Sequence, residues 1–194
     1  GMWEPMLNLD NVLRSVELLN AGEGQGGGLG MRRITISTSG IVPGIRRLSE
    51  DKRQIRLSVS LHATRDDLRT QIMPINKKYP LGALMESLRE YQEKSGRLVT
   101  YEYILLDGVN DSPRESKELA DLVGATDCKI NLIPFNSVEG TPYKTPPRER
   151  CDAFADYLKK KGLSVTLRVK KGADIDAACG QLRLRKSSET GPSR

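Results

Sequence analysis

Short β-branched runs alternate with stretches of helical spacing along most of this chain, every few tens of residues. Residues 33–37 (RITIS) alternate in polarity, and residues 55–61 (IRLSVSL), 98–106 (LVTYEYILL) and 129–134 (KINLIP) repeat the style. A last strand is expected at residues 163–169. Helices are expected near residues 43–50, 64–71, 80–94, 113–124 and 147–161; the third carries Leu81, Leu84, Met85, Leu88 and Tyr91 at helical spacing. Strands that alternate with helices in this way imply βα units and a parallel sheet. An α/β architecture follows, and with 194 residues there is enough chain for one domain with a real core.

Before this rhythm begins, Asn8 or Asp10 can cap a helix whose apolar stripe is Val12, Leu13, Val16, Leu18 and Leu19. Residues 21–30 (AGEGQGGGLG) interrupt it. Gly22, Gly24 and Gly27 match GxGxxG formally, but they follow a helix where a dinucleotide fold needs a strand, so the segment reads as a flexible linker.

Composition narrows the classes. Hydrophobic residues make up 37% and charged residues 29%, a globular balance, and no apolar run approaches the roughly 18 residues that span a bilayer. The start lacks the charged-then-apolar shape of a secretory signal, so a cytoplasmic location with no membrane partner is the expectation. Cys128, Cys151 and Cys179 are too scattered for a disulfide scaffold and lack the close spacing of a zinc or iron–sulfur site, so no metal site is expected from this chain's own residues. The net charge is +6, and its surplus is local: residues 144–194 hold 13 basic against 6 acidic residues. Such a surface suits a polyanion such as RNA, or else it is a solvated helix face followed by a basic tail.

Polar residues gather just after the strands, at Ser37 to Gly40, Ser60 to His62, Asp107 to Asp111, and Asn136. In βα architectures the carboxyl ends of the strands form the ligand-binding rim, so these four ends outline a pocket for a polar small molecule. His62 is the lone histidine, able to donate a hydrogen bond or relay a proton, and equally suited to a structural hydrogen bond. Cys179 sits among small residues with Gly180 after it; it is either a presented thiol or an inert small hydrophobe. Cys128 and Cys151 read as structural. Glu102 and Asp107 flank a strand, but their spacing alone does not make a catalytic pair.

Several segments together resemble one family. They are residues 1–8 (GMWEPMLN), 33–43 (RITISTSGIVP), 58–63 (SVSLHA), 73–79 (MPINKKY), 101–103 (YEY), 106–112 (LDGVNDS), 131–136 (NLIPFN) and 174–182 (DIDAACGQL). The chain is similar to the radical S-adenosylmethionine RNA methyltransferases of the RlmN/Cfr type, nearer the RlmN side, over residues 1–182. The resemblance implies a partial (βα) radical-SAM barrel with a mostly parallel sheet missing its first strands, and the basic residues beyond it, 183–194, are expected to form a disordered tail. It implies methylation of carbon 2 of adenine in large-subunit ribosomal RNA, and in transfer RNA. S-Adenosylmethionine would lie against Trp3, Glu4, Ser37, Ser60, Leu61, His62 and Asn136. Cys179 would be the methyl-carrying cysteine, with Lys170 and Lys171 facing RNA. The radical route explains the need for such a cofactor, because an aromatic C–H carbon is too poor a nucleophile for polar methyl transfer.

Two departures stand beside these matches. The family's CxxxCxxC motif, which holds a [4Fe–4S] cluster, is absent from the sequence, so the chain reads as the C-terminal half of such an enzyme, inactive alone. An electron donor would then be a partner of the full-length enzyme only. Trp3 stands where the family has the second glycine of GMGEP, and an indole there crowds the cofactor, so binding is expected to be weak or absent. Loss of the first strands would expose a sheet edge suited to dimerisation. The alternative reading is a non-catalytic RNA-binding half-barrel that uses the basic last quarter.

Overall fold

The structure is a computed structural model, and it describes residues 4–22, 26–137 and 140–168. Five strands, β1 (Thr35–Thr38), β2 (Arg56–Ser60), β3 (Val99–Leu105), β4 (Cys128–Pro134) and β5 (Ser164–Leu167), pair in the order β1-β2-β3-β4-β5. Every pairing is parallel. Helix α1 (Leu9–Asn20) precedes the sheet. The crossovers are α2 (Val42–Ser49), then α3 (Asp66–Ile72) with α4 (Leu81–Ser95), then α5 (Pro113–Val123) and α6 (Arg148–Lys160). The α/β class and the parallel sheet expected from the sequence are therefore present.

Local chemistry explains these boundaries. Ser112 caps α5: its Oγ accepts from Arg114 N at 3.2 Å and donates to Glu115, while Pro113 supplies a preset first turn. Helix α4 presents Leu81, Leu84, Met85, Leu88 and Tyr91 on one buried stripe, and ends where Gly96 adopts φ +63°. Two expectations are corrected. Strand β1 starts at Thr35, because Met31–Arg33 form a 3-10 turn that caps back onto Gly30 and Met31 carbonyls. On α1 the buried stripe is Leu9, Leu13 and Val16, at i, i+4 and i+7; Leu18 and Leu19 face solvent at 65% and 43% exposure. The described part of the glycine-rich segment folds onto the end of α1. Gly27 N, Leu29 N and Gly28 N donate to the carbonyls of Leu18, Leu19 and Ala21.

Helices α2, α4, α5 and α6 cover one face of the sheet. Ile36, Leu57, Val59, Val99, Tyr101, Tyr103, Ile130 and Leu132 point to that side and share one apolar cluster with Ile45, Leu48, Leu84, Leu88, Leu119, Phe154 and Leu158. Each fully buried aliphatic side chain there contributes about 2 kcal/mol of transfer free energy. The tyrosine hydroxyls are not wasted: Tyr91 donates to Ile55 O and Tyr103 to Asn110 O.

The opposite face is of another kind. In register, Ser37, Ser58, Thr100, Lys129 and Ser164 form one row, and Ser60, Glu102, Asn131 and Thr166 the next. Parallel sheets are ordinarily apolar on both faces because both are covered. One polar row across all five strands and a second across β2 to β5 mark this side as one that meets water or ligand.

Candidate functional site

The carboxyl ends of β1 and β2 carry the first cluster of predicted rim residues. Glu4 begins a 3-10 turn (Pro5–Asn8) and reaches the end of β1. Its Oε1 accepts from Met6 N (3.1 Å) and Thr38 Oγ1 (2.7 Å), and its Oε2 from Ser39 N (2.8 Å) and Ser39 Oγ (2.7 Å). Four donors saturate both oxygens, so Glu4 organises this strand end and leaves its negative charge beside it. The turn is seated by Met6, which packs against Gly44 of α2; a Cβ at Gly44 would lie 2.5 Å from the Met6 Cβ.

Arg69, wholly buried, ties the two ends together. Its Nε donates to Leu61 O (3.0 Å), its Nη2 to Ser39 O (2.8 Å) and Ser60 O (3.0 Å), and its Nη1 to Asn76 Oδ1 (2.9 Å). Burial pulls its pKa down to about 10, against the pull of Asp66.

His62 follows β2 with φ +61°, in the left-handed region that non-glycine residues rarely occupy. Its Nδ1 accepts from Ile104 N at 3.2 Å. Burial pulls the imidazole pKa down to about 4, and the Arg69 charge adds to that against a smaller upward pull from the Glu102 backbone, so the ring is neutral near pH 7. Leu61 beside it is fully buried, with its N–H given to Glu102 O and its carbonyl to Arg69, so both its backbone groups are spent inside the fold.

Among the described residues, Ser37 Oγ, Ser60 Oγ, His62 Nε2 and the Asn136 side chain make no hydrogen bond to the protein. Ser37 and Asn136 are exposed, Ser60 and His62 half-buried. Three of the four strand ends thus offer free polar atoms. The fourth does not: Asp111 accepts from Gly108 N, and Arg150 bridges Asp107 and Asp111 at 3.0 Å each, which pins α6 to that turn. Trp3, Lys170, Lys171 and Cys179 lie outside the described residues.

Glu102 is a residue the sequence reading misplaced. It lies in the middle of β3 and not at its flank, facing the polar side between Ser58 Oγ and Asn131 Nδ2, both donating to its Oε1 at 3.0 Å. Its Oε2 is buried without a partner. The alternation in VTYEYIL was the available signal, because it sets Glu102 opposite the buried Tyr101 and Tyr103.

Comparison with known proteins places this sheet. The Radical SAM superfamily profile matches residues 1–120. The chain belongs to the radical SAM superfamily. Relatives within that superfamily include RlmN proteins. Those of Akkermansia muciniphila (48% identical over 97% of this chain) and Symbiobacterium thermophilum (50% over 95%) are both described as "Probable dual-specificity RNA methyltransferase RlmN". The crystal structure of a radical SAM methyltransferase from Sphaerobacter thermophilus superposes with a TM-score of 0.86 at 46% identity, over 93% of this chain and 52% of that one. The chain spans about half the length of the curated relatives it matches, 52% and 50% for these two.

Radical SAM membership implies S-adenosylmethionine as cofactor and, in full-length members, a [4Fe–4S] cluster. The rim fits the first: unpartnered hydroxyl, imidazole and amide atoms, with the orphaned Glu102 oxygen on the row of Ser60, suit a small ligand rich in hydrogen-bonding groups. The cluster does not fit the described residues. Cys128 and Cys151 are buried, burial pushes both thiols up, and no group of three metal-ligating side chains occurs among the described residues. Among the described residues no helix is long and apolar enough to cross a membrane.

Proposed function

We propose that this chain forms the cofactor rim of an RlmN-type methyltransferase, and that the whole enzyme methylates carbon 2 of adenine in large-subunit ribosomal RNA and in transfer RNA, in the cytoplasm. The observation that supports the reading is the set of free polar atoms at Ser37, Ser60, His62 and Asn136 on one end of a parallel sheet. When bound, S-adenosylmethionine supplies both a methyl group and the source of a carbon-centred radical.

This chain's residues would do the holding. Ser37, Ser60 and Asn136 donate to and accept from the ligand, and His62 donates through Nε2. Glu4 fixes the end of β1 and contributes negative charge near a ligand ammonium. The assignment of Cys179 as methyl carrier rests on the segment DIDAACGQL, and that of Lys170 and Lys171 to RNA on their basic character. With no site for the cluster in its described residues, the chain is read as inactive alone, its electron donor belonging to the full-length enzyme. A second copy paired along the open edge of β1 is the expected oligomer; a monodisperse monomer by light scattering at high concentration would refute it.

Calorimetric titration with S-adenosylmethionine tests the rim. The chain is expected to bind weakly, Trp3→Gly to bind more tightly, and Ser60→Ala in that background to lose about tenfold, the worth of one good hydrogen bond. No saturable binding by folded Trp3→Gly would overturn the rim reading. A steep salt dependence of RNA binding without cofactor affinity would instead favour the RNA-binding half-barrel. Incubation with RNA, cofactor and reductant is expected to give no 2-methyladenosine by mass spectrometry; any product would refute inactivity.

A further inference from the structure

The ladder between β2 and β3 stops after the pair Ser60–Glu102, and three side chains take over the next rung. In a continuing parallel ladder Ile104 N would donate to Leu61 O, and Ile104 O would accept the amide of residue 63. The positive φ of His62 turns the chain away before that can happen. The Leu61 carbonyl goes to Arg69 Nε. Ile104 N donates to His62 Nδ1 (3.2 Å), and Ile104 O accepts from Asn110 Nδ2 (2.7 Å).

Asn110 is wholly buried, and both of its side-chain N–H groups are used. Besides Ile104 O, its Nδ2 donates to His62 O at 2.9 Å, and its Oδ1 accepts from Leu106 N at 2.7 Å. Its own carbonyl accepts from Tyr103 Oη. Asn110 therefore grips both residues that the imidazole bond joins. It holds the His62 peptide in its left-handed conformation, and it holds Ile104 where its N–H meets the ring.

We propose that Asn110 is a positioning residue: by clamping His62 O and Ile104 O together it fixes the imidazole as the tautomer with Nδ1 bare and Nε2 protonated, so that His62 offers the rim a permanent N–H donor. A backbone N–H can only donate, so the nitrogen it meets must accept. The group His62 takes is then an acceptor, such as a carboxylate, hydroxyl or ring nitrogen, and His62 does not serve as a general base. The proposal deepens the rim reading by naming the atom that faces the ligand, yet its test needs no ligand. Failure here would remove only the Nε2 donor and leave cofactor binding through Ser37, Ser60 and Asn136 to its own titration, and failure of cofactor binding leaves this standing.

With one histidine in the chain, imidazole nitrogen NMR needs no assignment. In the unsubstituted chain at pH 7, Nδ1 is expected in the unprotonated range and Nε2 in the protonated range, with a scalar coupling between the Ile104 amide nitrogen and Nδ1. A protonated Nδ1 would overturn the proposal whatever any variant does. In Asn110→Ser the coupling is expected to vanish and the two nitrogen shifts to average toward each other as tautomers exchange. Leu88→Ala, a core change on α4, is the control that destabilises without moving the tautomer. A folded Asn110→Ser that keeps the wild-type shifts and coupling would show Asn110 to be merely structural, and an unfolded one leaves the decision to the unsubstituted chain's coupling and shifts.

Discussion

Replacing Arg69 by Met is the sharpest test of how the rim is held. The guanidinium is fully buried and makes four hydrogen bonds of 2.8–3.0 Å to Ser39 O, Ser60 O, Leu61 O and Asn76 Oδ1, with no carboxylate in direct contact. Methionine fills much of the stem's volume but donates nothing. Each buried acceptor left without its donor costs about 1–3 kcal/mol, so the gross loss is on the order of 8 kcal/mol. Against this stands relief from burying a cation, which returns several kcal/mol. The net loss is about 3–5 kcal/mol, a large share of the roughly 5–15 kcal/mol that holds an ordinary domain. Urea unfolding followed by far-UV circular dichroism reads it as a lower midpoint at unchanged slope. Arg69→Lys, with one point donor for three separated carbonyls, is expected to recover less than half of the loss. A loss below about 1 kcal/mol for Arg69→Met would mean that Arg69 is not what spaces β1 from β2.

Other outcomes follow from single features. His62 has its folded pKa pulled to about 4, below its unfolded value near 6.5, so the unfolded chain takes the proton first and stability falls as pH drops from about 6.5 toward 4. At pH 4.5 the loss is roughly 2 kcal/mol, and it should be missing from His62→Asn when the two chains' urea midpoints are compared across pH. Gly40→Ala sets a Cβ at φ +105°, 3.2 Å from Arg69 Nη2 and Leu84, and is expected to cost about 1–3 kcal/mol in the same assay. Leu88→Ala empties a wholly buried site between α4 and the sheet and should cost about 2–5 kcal/mol by thermal or urea unfolding.

The strands were legible because β-branched alternation is a local property, and all five observed strands fall within or within two residues of their expected spans. What local pattern hides is which side of an element meets the rest of the molecule. Leu18 looks like core in a helix read without its partners, yet it is 65% exposed, and Leu19, 43% exposed, lines a cavity beside β1 with Val12 and Val16. The free polar atoms of Ser37, Ser60, His62 and Asn136 could be placed from the strand-end rule. Arg69 and Asn110 could not, since an arginine on a helix and an asparagine in a turn are exposed far more often than buried. Glu102 fell between: the alternation gave its face, but only the register set it beside Ser60, Ser58 and Asn131.

The two polar rows of the sheet also govern the heat of binding. A ligand against the serine, threonine, glutamate and asparagine of these rows meets little hydrocarbon, whereas one that also enters the cavity beside Ser37 and Ser60 meets Val12, Val16, Leu19, Ile34 and Ile36. Occupancy of the rows alone should therefore release heat from hydrogen bonds formed, with only a small heat-capacity change, and occupancy that reaches the apolar wall of the cavity should add a negative one. The affinity of the rows answers to the number and direction of donors and acceptors, so moving one hydroxyl or deleting one amide tells more than changing the ligand's bulk.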